Sequence, residues 1–265
     1  KPNYAEGYNN LGATLLEAGK HQEAEKNFRT AISLKPNYPE AHNNLGKTLS
    51  EQNKLNDAER SFKKAISQKN DYPLALNNLG ATLEALDRYD EAEINYQNAA
   101  RLDPSFAEAH NNLGALYHHF DRFDEARSAY EIAVETRPDF AEAHNNLGAL
   151  LRELNKLESA ENSCRQAISI KPDFAEAHNN LGLVLKEFDR MQEAIQEFDL
   201  AIRHNPDYAE AFANRGEAFL EIGKLEEAKG DFLKAINIYP DFAVAHRLLS
   251  DLKVFAVEDD RLPKE

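Results

Sequence analysis

Asparagine side chains recur along this chain at a fixed spacing. One asparagine stands at each of seven positions that lie 34 residues apart: Asn10, Asn44, Asn78, Asn112, Asn146, Asn180 and Asn214. A second asparagine directly precedes six of them: Asn9, Asn43, Asn77, Asn111, Asn145 and Asn179. A carboxamide offers an acceptor and two N–H donors, so it can pair with both polar groups of a peptide unit. The row indicates a surface that holds an extended polypeptide backbone, or one that bridges neighbouring structural elements.

Histidine and cysteine are the other residues whose side chains could bind a metal or act as a nucleophile. A histidine directly precedes the asparagine pair at His42, His110, His144 and His178, and His246 stands at the equivalent position near the end of the chain. This position suits a bulky packing residue, so we interpret these rings as half-buried structural groups rather than metal ligands. We do not expect zinc at His118, His119 and Asp121. Cys164 is interpreted as a small buried hydrophobe rather than a reactive thiol. No nucleophile lies beside a base, so we predict no catalytic residue, no metal and no cofactor.

Composition and charge exclude several classes of protein. The 265 residues carry 31 Lys and Arg against 46 Asp and Glu, which gives a formal charge of −15. This balance argues against a nucleic-acid partner, which needs a basic face. No apolar stretch reaches the roughly 18 residues that span a bilayer, so we expect no membrane insertion. A single cysteine excludes an internal disulfide. The compartment is left open, with the cytoplasm as our expectation.

Glycine, alanine and proline share the 34-residue period with the asparagines. Gly12, Ala24 and Pro36 each begin a series that continues along the chain at this step. With Ala5 as slot 1, seven repeats cover residues 5–38, 39–72, 73–106, 107–140, 141–174, 175–208 and 209–242. Residues 1–4 match the end of a repeat, so we interpret them as the remnant of a preceding one and the chain as a fragment. Residues 243–257 are predicted to form a capping helix, and residues 258–265 a tail or linker.

Two helices are predicted in each repeat. Apolar residues at slots 3, 7, 10, 11 and 14 follow helical spacing, and a second helical pattern includes alanines at slots 20 and 27. Gly, Asn or Asp at slot 15 predicts a left-handed residue that ends the first helix. Proline at slot 32 ends the second helix, and Asn, Asp or Ser at slot 33 predicts the N-cap of the next one. Glycine at slot 8 is expected to allow close approach of the two helices.

The pattern resembles the tetratricopeptide repeat, and the resemblance covers nearly the whole chain. Leu at slot 7, Gly at slot 8, Ala at slots 20 and 27, an aromatic at slot 24 and Pro at slot 32 carry it. It implies an all-α fold, a right-handed superhelical α-solenoid of antiparallel helix pairs whose first helices line a concave groove. It also implies protein or peptide binding rather than catalysis. The asparagine row is similar to that of the superhelix in O-linked N-acetylglucosamine transferases, where such asparagines hold peptides.

The residues of the predicted groove define the candidate site. The slot-6 asparagines are expected to contact a peptide backbone, joined by Asn111 and Asn145 at slot 5. Glu108, Glu142 and Glu176 at slot 2 are expected to make one edge of the groove negative, which favours a neutral to basic peptide. The lysines and arginine with which some members of the family clamp a C-terminal carboxylate are missing at the corresponding slots.

We therefore predict an interaction scaffold that binds an extended peptide or a disordered segment along its groove. One alternative is a substrate-recruiting arm of a larger enzyme, glycosyltransferase-like or sulfotransferase-like, with its catalytic domain outside this chain. Another is self-assembly, in which one superhelix stacks end to end on the next through its terminal repeats.

Overall fold

The computed structural model describes residues 4–259, and these residues are helical with short turns between the helices. The chain divides into two compact units, with the boundary between residues 138 and 139. Unit 1 contains α1 (Ala5–Glu17), α2 (His21–Leu34), α3 (Pro39–Glu51), α4 (Leu55–Gln68), α5 (Pro73–Glu84), α6 (Tyr89–Leu102), α7 (Ala107–His119) and α8 (Phe123–Thr136). Unit 2 contains α9 (Ala141–Glu153), α10 (Leu157–Ile170), α11 (Ala175–Glu187), α12 (Met191–His204), α13 (Ala209–Glu221), α14 (Leu225–Ile238) and α15 (Ala243–Asp259). The predicted all-α solenoid of helix pairs is confirmed.

The two helices of each pair pack through glycine and aromatic residues, as predicted. A Cβ placed on Gly46 would lie 2.7 Å from the ring of Phe62, and one on Gly182 would lie 2.5 Å from the ring of Phe198. These rings are fully buried between the helices of their own pair. Glycine is therefore required at slot 8 because the slot-24 ring occupies the space of its side chain.

The turn inside each pair is left-handed at slot 15, as the sequence predicts. Positive φ angles of 56° to 77° occur at Gly19, Asn53, Asp87, Asp121, Asn155, Asp189 and Gly223. The backbone N–H that follows each of them bonds back to the last turn of the helix, as Lys20 N–H does to the Leu15 carbonyl at 2.8 Å. This reversal satisfies carbonyl groups that the helix end would otherwise leave unpaired.

The predicted N-caps at slot 33 are wrong. The residue before the first helix is instead the slot-34 aromatic, for example Tyr38 or Phe140, and no side-chain cap hydrogen bond forms there. Burial of these rings explains the shift, since Tyr38 and Phe174 are each less than a tenth exposed. Polar side chains of the turn bond locally, as Asp103 does when it accepts from the Ser105 N–H at 3.0 Å.

Within each unit, successive first helices contact one another, as α1 contacts α3 and α9 contacts α11. Among the described residues, neighbouring second helices such as α2 and α4 do not. Each unit therefore bends toward the side of its first helices. We call this side the first-helix surface: α1, α3, α5 and α7 form it in unit 1, and α9, α11, α13 and α15 form it separately in unit 2.

The ends of the chain are only partly described. Residues 1–3 of the proposed remnant and residues 260–265 of the proposed tail lie outside the described residues. The last helix extends two residues beyond the predicted capping helix and includes Glu258 and Asp259. No described helix combines the length and the apolar character needed to cross a lipid bilayer.

Candidate functional site

The paired asparagines join each repeat to the next. In unit 1, the slot-6 amide Nδ2 of Asn44, Asn78 and Asn112 donates to the slot-5 Oδ1 of Asn9, Asn43 and Asn77, at 3.1, 3.1 and 2.9 Å. In unit 2, Asn180 and Asn214 donate in the same way to Asn145 and Asn179, each at 2.8 Å. The double asparagine is therefore an inter-repeat hydrogen-bond motif, which was one of the two interpretations of the sequence.

Burial separates the two asparagines of each pair. The slot-5 residues Asn43 and Asn145 are only 2% and 8% exposed, whereas Asn111 is half-buried. The slot-6 residues from Asn44 to Asn214 are all half-buried, and Asn10 in the first repeat is exposed. The slot-6 side chains consequently remain within reach of a ligand on the first-helix surface, and the slot-5 side chains chiefly position them.

Hydrogen-bonding capacity remains on the slot-6 amides. Asn78, Asn112, Asn180 and Asn214 each use one Nδ2 hydrogen, and their Oδ1 atoms accept no hydrogen bond from another described residue. An amide carries one further N–H and a carbonyl with two lone pairs. Each of these residues can therefore donate to and accept from one peptide unit without losing its bond to the preceding repeat.

The slot-2 glutamates are partly neutralised by neighbouring cations. Glu108 accepts from Arg137 at 2.7 Å, and Glu142 lies 3.7 Å from the Lys171 ammonium group. Glu176 is exposed and forms no ion pair within the described part of the chain. The edge expected from the sequence therefore carries less net negative charge at Glu108 and Glu142 than a count of its carboxylates indicates.

Slot 12 in unit 2 carries cations that pair with the next repeat. Arg152 bonds to Glu187 at 2.8 Å, and Lys186 lies 2.6 Å from Glu217 and 3.3 Å from Glu221. Burial opposes the charge of Lys186, but the two carboxylates outweigh it and raise the pKa of its ammonium group. The slot-12 side chain is thus within ion-pair distance of slots 9 and 13 in the following repeat.

Two cavities open on the first-helix surface of unit 1, at equivalent positions of successive repeats. One, of about 220 Å³, lies between the second and third repeats and is lined by Lys47, Ser50 and Asn78 among others. The other, of about 660 Å³, lies one repeat further on and is lined by Glu84, Asn112 and further residues. A slot-6 asparagine therefore forms part of the wall of both cavities.

The slot-4 histidines hold the turns between repeats. The ring Nε2–H of His42, His110, His178 and His246 donates to the carbonyl of the slot-32 proline six residues earlier, at 2.8 to 3.3 Å. Among the described residues, no group of three or more His, Cys, Asp or Glu side chains is arranged to hold a metal ion. The hydrogen bonds to the proline carbonyls give His42, His110, His178 and His246 a structural role. Their burial differs from the half-buried rings we expected in two cases, since His178 is buried and His246 is exposed.

His178 differs from the other slot-4 histidines. Its Nδ1–H donates to Glu197 at 2.7 Å, and its ring stacks on His204 at 5.6 Å. Burial opposes the charged ring, but the bonds to Glu197 and to the Pro172 carbonyl outweigh it and raise the pKa of His178. At His42, burial dominates and lowers the pKa.

Cys164 takes the place of the slot-24 aromatic and is fully buried. Burial raises the pKa of its thiol to about 12, so the thiolate that would act as a nucleophile is disfavoured. The interpretation of Cys164 as a packing residue agrees with this environment.

Two features were missed by the sequence analysis. Arg215 replaces the slot-7 leucine and forms a half-buried ion triad with Asp231 and Asp199. Glu84 and Tyr89 form one wall of the larger cavity. Both could have been found as departures from the repeat, since Arg215 is the only non-leucine at slot 7 and Glu84 the only acid at slot 12.

Comparisons with known families agree with this architecture. A tetratricopeptide-repeat profile matches residues 4–71 and 105–173, which together exceed half of the chain. Further profiles described as TPR or tetratricopeptide repeats match residues 85–119, 165–209 and 209–242. Among curated proteins, no significant sequence match is found.

Solved structures share the fold. The APC/C hetero-tetramer Cut9-Hcn1 contains a chain with a TM-score of 0.79 and 18% identity; the match covers 91% of the present chain and 48% of that one, so the present chain spans about half of its length. A tetratricopeptide repeat protein from Parabacteroides merdae matches with a TM-score of 0.68 and 19% identity, over 94% of this chain and 98% of that one.

A third structure, YrrB, is described as a TPR protein with an unusual peptide-binding site. It matches with a TM-score of 0.57 and 25% identity, over 71% of this chain and 97% of its own. The glycine–aromatic packing, the left-handed turns and the profile matches lead to one conclusion: the chain belongs to the tetratricopeptide repeat family.

Proposed function

We propose that this protein is a non-enzymatic interaction scaffold that binds an extended peptide or disordered segment on its first-helix surface. Tetratricopeptide repeats serve as protein–protein interaction scaffolds, and YrrB, of similar fold, is described as having a peptide-binding site. The observation that carries the proposal is a set of four half-buried slot-6 amides, each bonded to the preceding repeat with an Oδ1 that accepts no hydrogen bond from another described residue: Asn78, Asn112, Asn180 and Asn214.

The hydrogen bonds between asparagines favour this role because they fix the orientation of each amide before a ligand arrives. A side chain whose rotamer is already restricted loses less conformational entropy on binding than a free one. Backbone hydrogen bonds from such a row hold an extended chain with little regard to its side chains. The peptide selectivity must then come from the cavities and charges beside the row.

A matched pair of variants separates ligand contact from inter-repeat bridging. Asn78→Ala with Asn112→Ala removes two slot-6 amides, and Asn43→Ala with Asn77→Ala removes their slot-5 partners. Both variants break the same two hydrogen bonds, but only the first removes amides that face a ligand. Both should lose stability, by about 1 kcal/mol per bond.

Binding is measured with peptides selected from a displayed random library against the unaltered chain. We expect the slot-6 variant to lose at least about tenfold in affinity, the equivalent of one or more hydrogen bonds. The slot-5 variant should keep most of the affinity. Equal affinities for the two variants, with the fold of both intact by circular dichroism, would contradict the asparagine row as the binding element.

A further inference from the structure

The larger cavity of unit 1 has walls of a distinct chemical character. It lies between α5, α6 and α7 on the first-helix surface, with a volume of about 660 Å³. Glu84, Tyr89 and Tyr96 line one side of it, and Asn112 and His119 the other, with alanines between them. No lysine or arginine lines this cavity, which combines a carboxylate with aromatic faces.

Glu84 is held in place but has no cationic partner. Its Oε2 accepts from the Tyr96 hydroxyl at 2.9 Å, and the ring of Tyr96 is buried against Gly80. No lysine, arginine or histidine forms an ion pair with Glu84 in the described part of the chain. A carboxylate can accept several hydrogen bonds, so most of the capacity of Glu84 remains available.

The aromatic wall is fixed as well. The Tyr89 hydroxyl donates to Asp87 at 3.1 Å, and its ring stacks on His119 with centroids 5.4 Å apart. Phe120 packs edge-on against Tyr89 at 5.2 Å. A fixed aromatic face beside a carboxylate attracts a guanidinium or ammonium group through both cation–π and charge-assisted contacts.

Unit 2 shows how the same positions behave when the chain itself supplies the cation. There Lys186 at slot 12 lies within 2.6 to 3.3 Å of Glu217 and Glu221, at slots 9 and 13 of the next repeat. In the larger cavity the acid is at slot 12, and slots 9 and 13 of the next repeat are Ala115 and His119. Slot 12 is thus a position for ion pairs across this surface, and at Glu84 a ligand has to provide the positive charge.

The neighbouring cavity carries charges of both signs, because Lys47 and Glu51 both line it. At the equivalents of Ala81 and Glu84 it carries Lys47 and Ser50, and the Ser50 hydroxyl is already bonded to Thr82 at 3.1 Å. Lys47 disfavours a second cation there. The two cavities therefore differ in charge although they share a register, and the larger one is specific to the boundary between the third and fourth repeats.

We propose that the cavity formed by Glu84, Tyr89 and His119 binds an arginine or lysine side chain of the peptide that lies on the asparagine row. This inference rests on the proposed function, and it names the side-chain chemistry that the ligand must present. Asn112, which lines the same cavity, places the peptide backbone beside it. The pocket selects a basic residue at one position of an otherwise weakly specified segment.

The test compares Glu84→Gln with the unaltered chain in selections from a displayed random peptide library. Glutamine keeps the acceptor for the Tyr96 hydroxyl and removes only the charge. Glu17→Gln is the matched control, because Glu17 is exposed near the end of α1, outside this cavity, and its change alters the net charge equally. Peptides selected by the unaltered chain should carry arginine or lysine at one fixed position, and Glu84→Gln should weaken their binding about tenfold.

Two outcomes would contradict the inference, and they differ in what they mean for the proposed function. Selected peptides without a basic position, or with one that Glu84→Gln leaves unchanged, would overturn the inference while the proposed function stands. If no peptide binds even the unaltered chain, both the inference and the proposed function are overturned.

Discussion

At the scale of single residues, departures from the repeat mark where this chain differs from its own pattern. Arg215 introduces a charge at slot 7, where the other repeats have leucine. Glu197, the partner of His178, introduces one at slot 23, where only the seventh repeat also has an acid, Asp231. Both groups are at least half-buried, so each charge depends on its partner. Removing one partner should therefore lower the free energy of unfolding strongly.

The pKa of His178 leads to a pH-dependent contribution to stability. Because the folded-state pKa is raised, the charged ring stabilises the fold fully below the unfolded value of about 6.5. This stabilisation is lost as the pH rises through the folded-state pKa. Glu197→Ser, with the residue that stands at slot 23 in the second and fifth repeats, should lower the pKa of His178.

The ring resonances of His178, followed by NMR against pH, measure this shift directly. Glu193→Gln is the control, since Glu193 lies on the same helix but pairs with Arg190. An unchanged His178 titration in Glu197→Ser would show that the hydrogen bond to Glu197 does not set this pKa.

Removing Arg215 alone from its ion triad should lower the free energy of unfolding more than replacing Arg215 and Asp231 together by uncharged residues. Asp231 is only 6% exposed, and Arg215 binds it through two hydrogen bonds of 2.7 and 2.6 Å. Arg215→Leu restores the residue of the other repeats but leaves the Asp231 carboxylate buried without its partner, at a cost of about 3 kcal/mol. Adding Asp231→Asn should recover most of this loss in urea unfolding. Equal stabilities of the single and the double variant would show that the unpaired Asp231 carboxylate is not the cause of the loss.

At the scale of the helix pair, glycine and the slot-24 residue set the distance between the two helices. Six pairs place an aromatic ring over the glycine, whereas the fifth places Cys164 there. The Cβ position of Gly148 lies 3.3 Å from the backbone nitrogen of Cys164 and 3.4 Å from the Ala160 carbonyl. The fifth pair therefore packs its glycine against a smaller side chain, and Cys164 is fully buried in this position.

The full burial of Cys164 leads to a prediction at this position. Cys164→Phe inserts the larger side chain used in four other repeats into a site that is already fully buried, and it should destabilise the chain by about 1–3 kcal/mol through overpacking. Cys164→Ala is the control, because it removes volume instead of adding it. Thermal unfolding followed by circular dichroism measures both. A melting temperature that rises in Cys164→Phe would mean that the fifth pair accommodates the ring without overpacking.

At the scale of the whole molecule, charge is unevenly distributed along the repeats. Residues 1–72 contain 11 Lys and Arg against 9 Asp and Glu, whereas residues 73–265 contain 20 against 37. The negative charge of the protein therefore comes from the third repeat onward. A basic ligand is attracted to this part of the chain, which includes the Glu84 cavity.

The proposed ligand charge leads to a prediction on ionic strength. Raising sodium chloride from about 50 to 500 mM shortens the screening length severalfold. It should lower the affinity of the chain for a basic selected peptide about fivefold. A peptide of the same length with its basic residues replaced by glutamine should change less than about twofold. Fluorescence anisotropy of labelled peptides measures both affinities. Equal salt dependence of the two peptides would contradict a charge-selective surface.

Residue type and spacing alone predicted the period, the helix pairs, the left-handed turns and the pattern of buried glycine, alanine and aromatic residues. Each of these depends on local backbone preference or on packing inside one repeat, so a repeated pattern reveals it. The start of the first helices was wrong because a buried aromatic, and not the polar residue before it, fixes that boundary.

The contacts of the asparagine pairs, the histidines and the charged residues follow from the tertiary structure. The bond from Asn112 to Asn77 joins residues that lie 35 positions apart, and the approach of Lys186 to Glu217 spans 31. Such contacts depend on how one helix pair stacks on the next, which residue type and spacing leave open. The Glu84 cavity emerged in the same way, since its walls come from two repeats and its chemistry exists only where they meet.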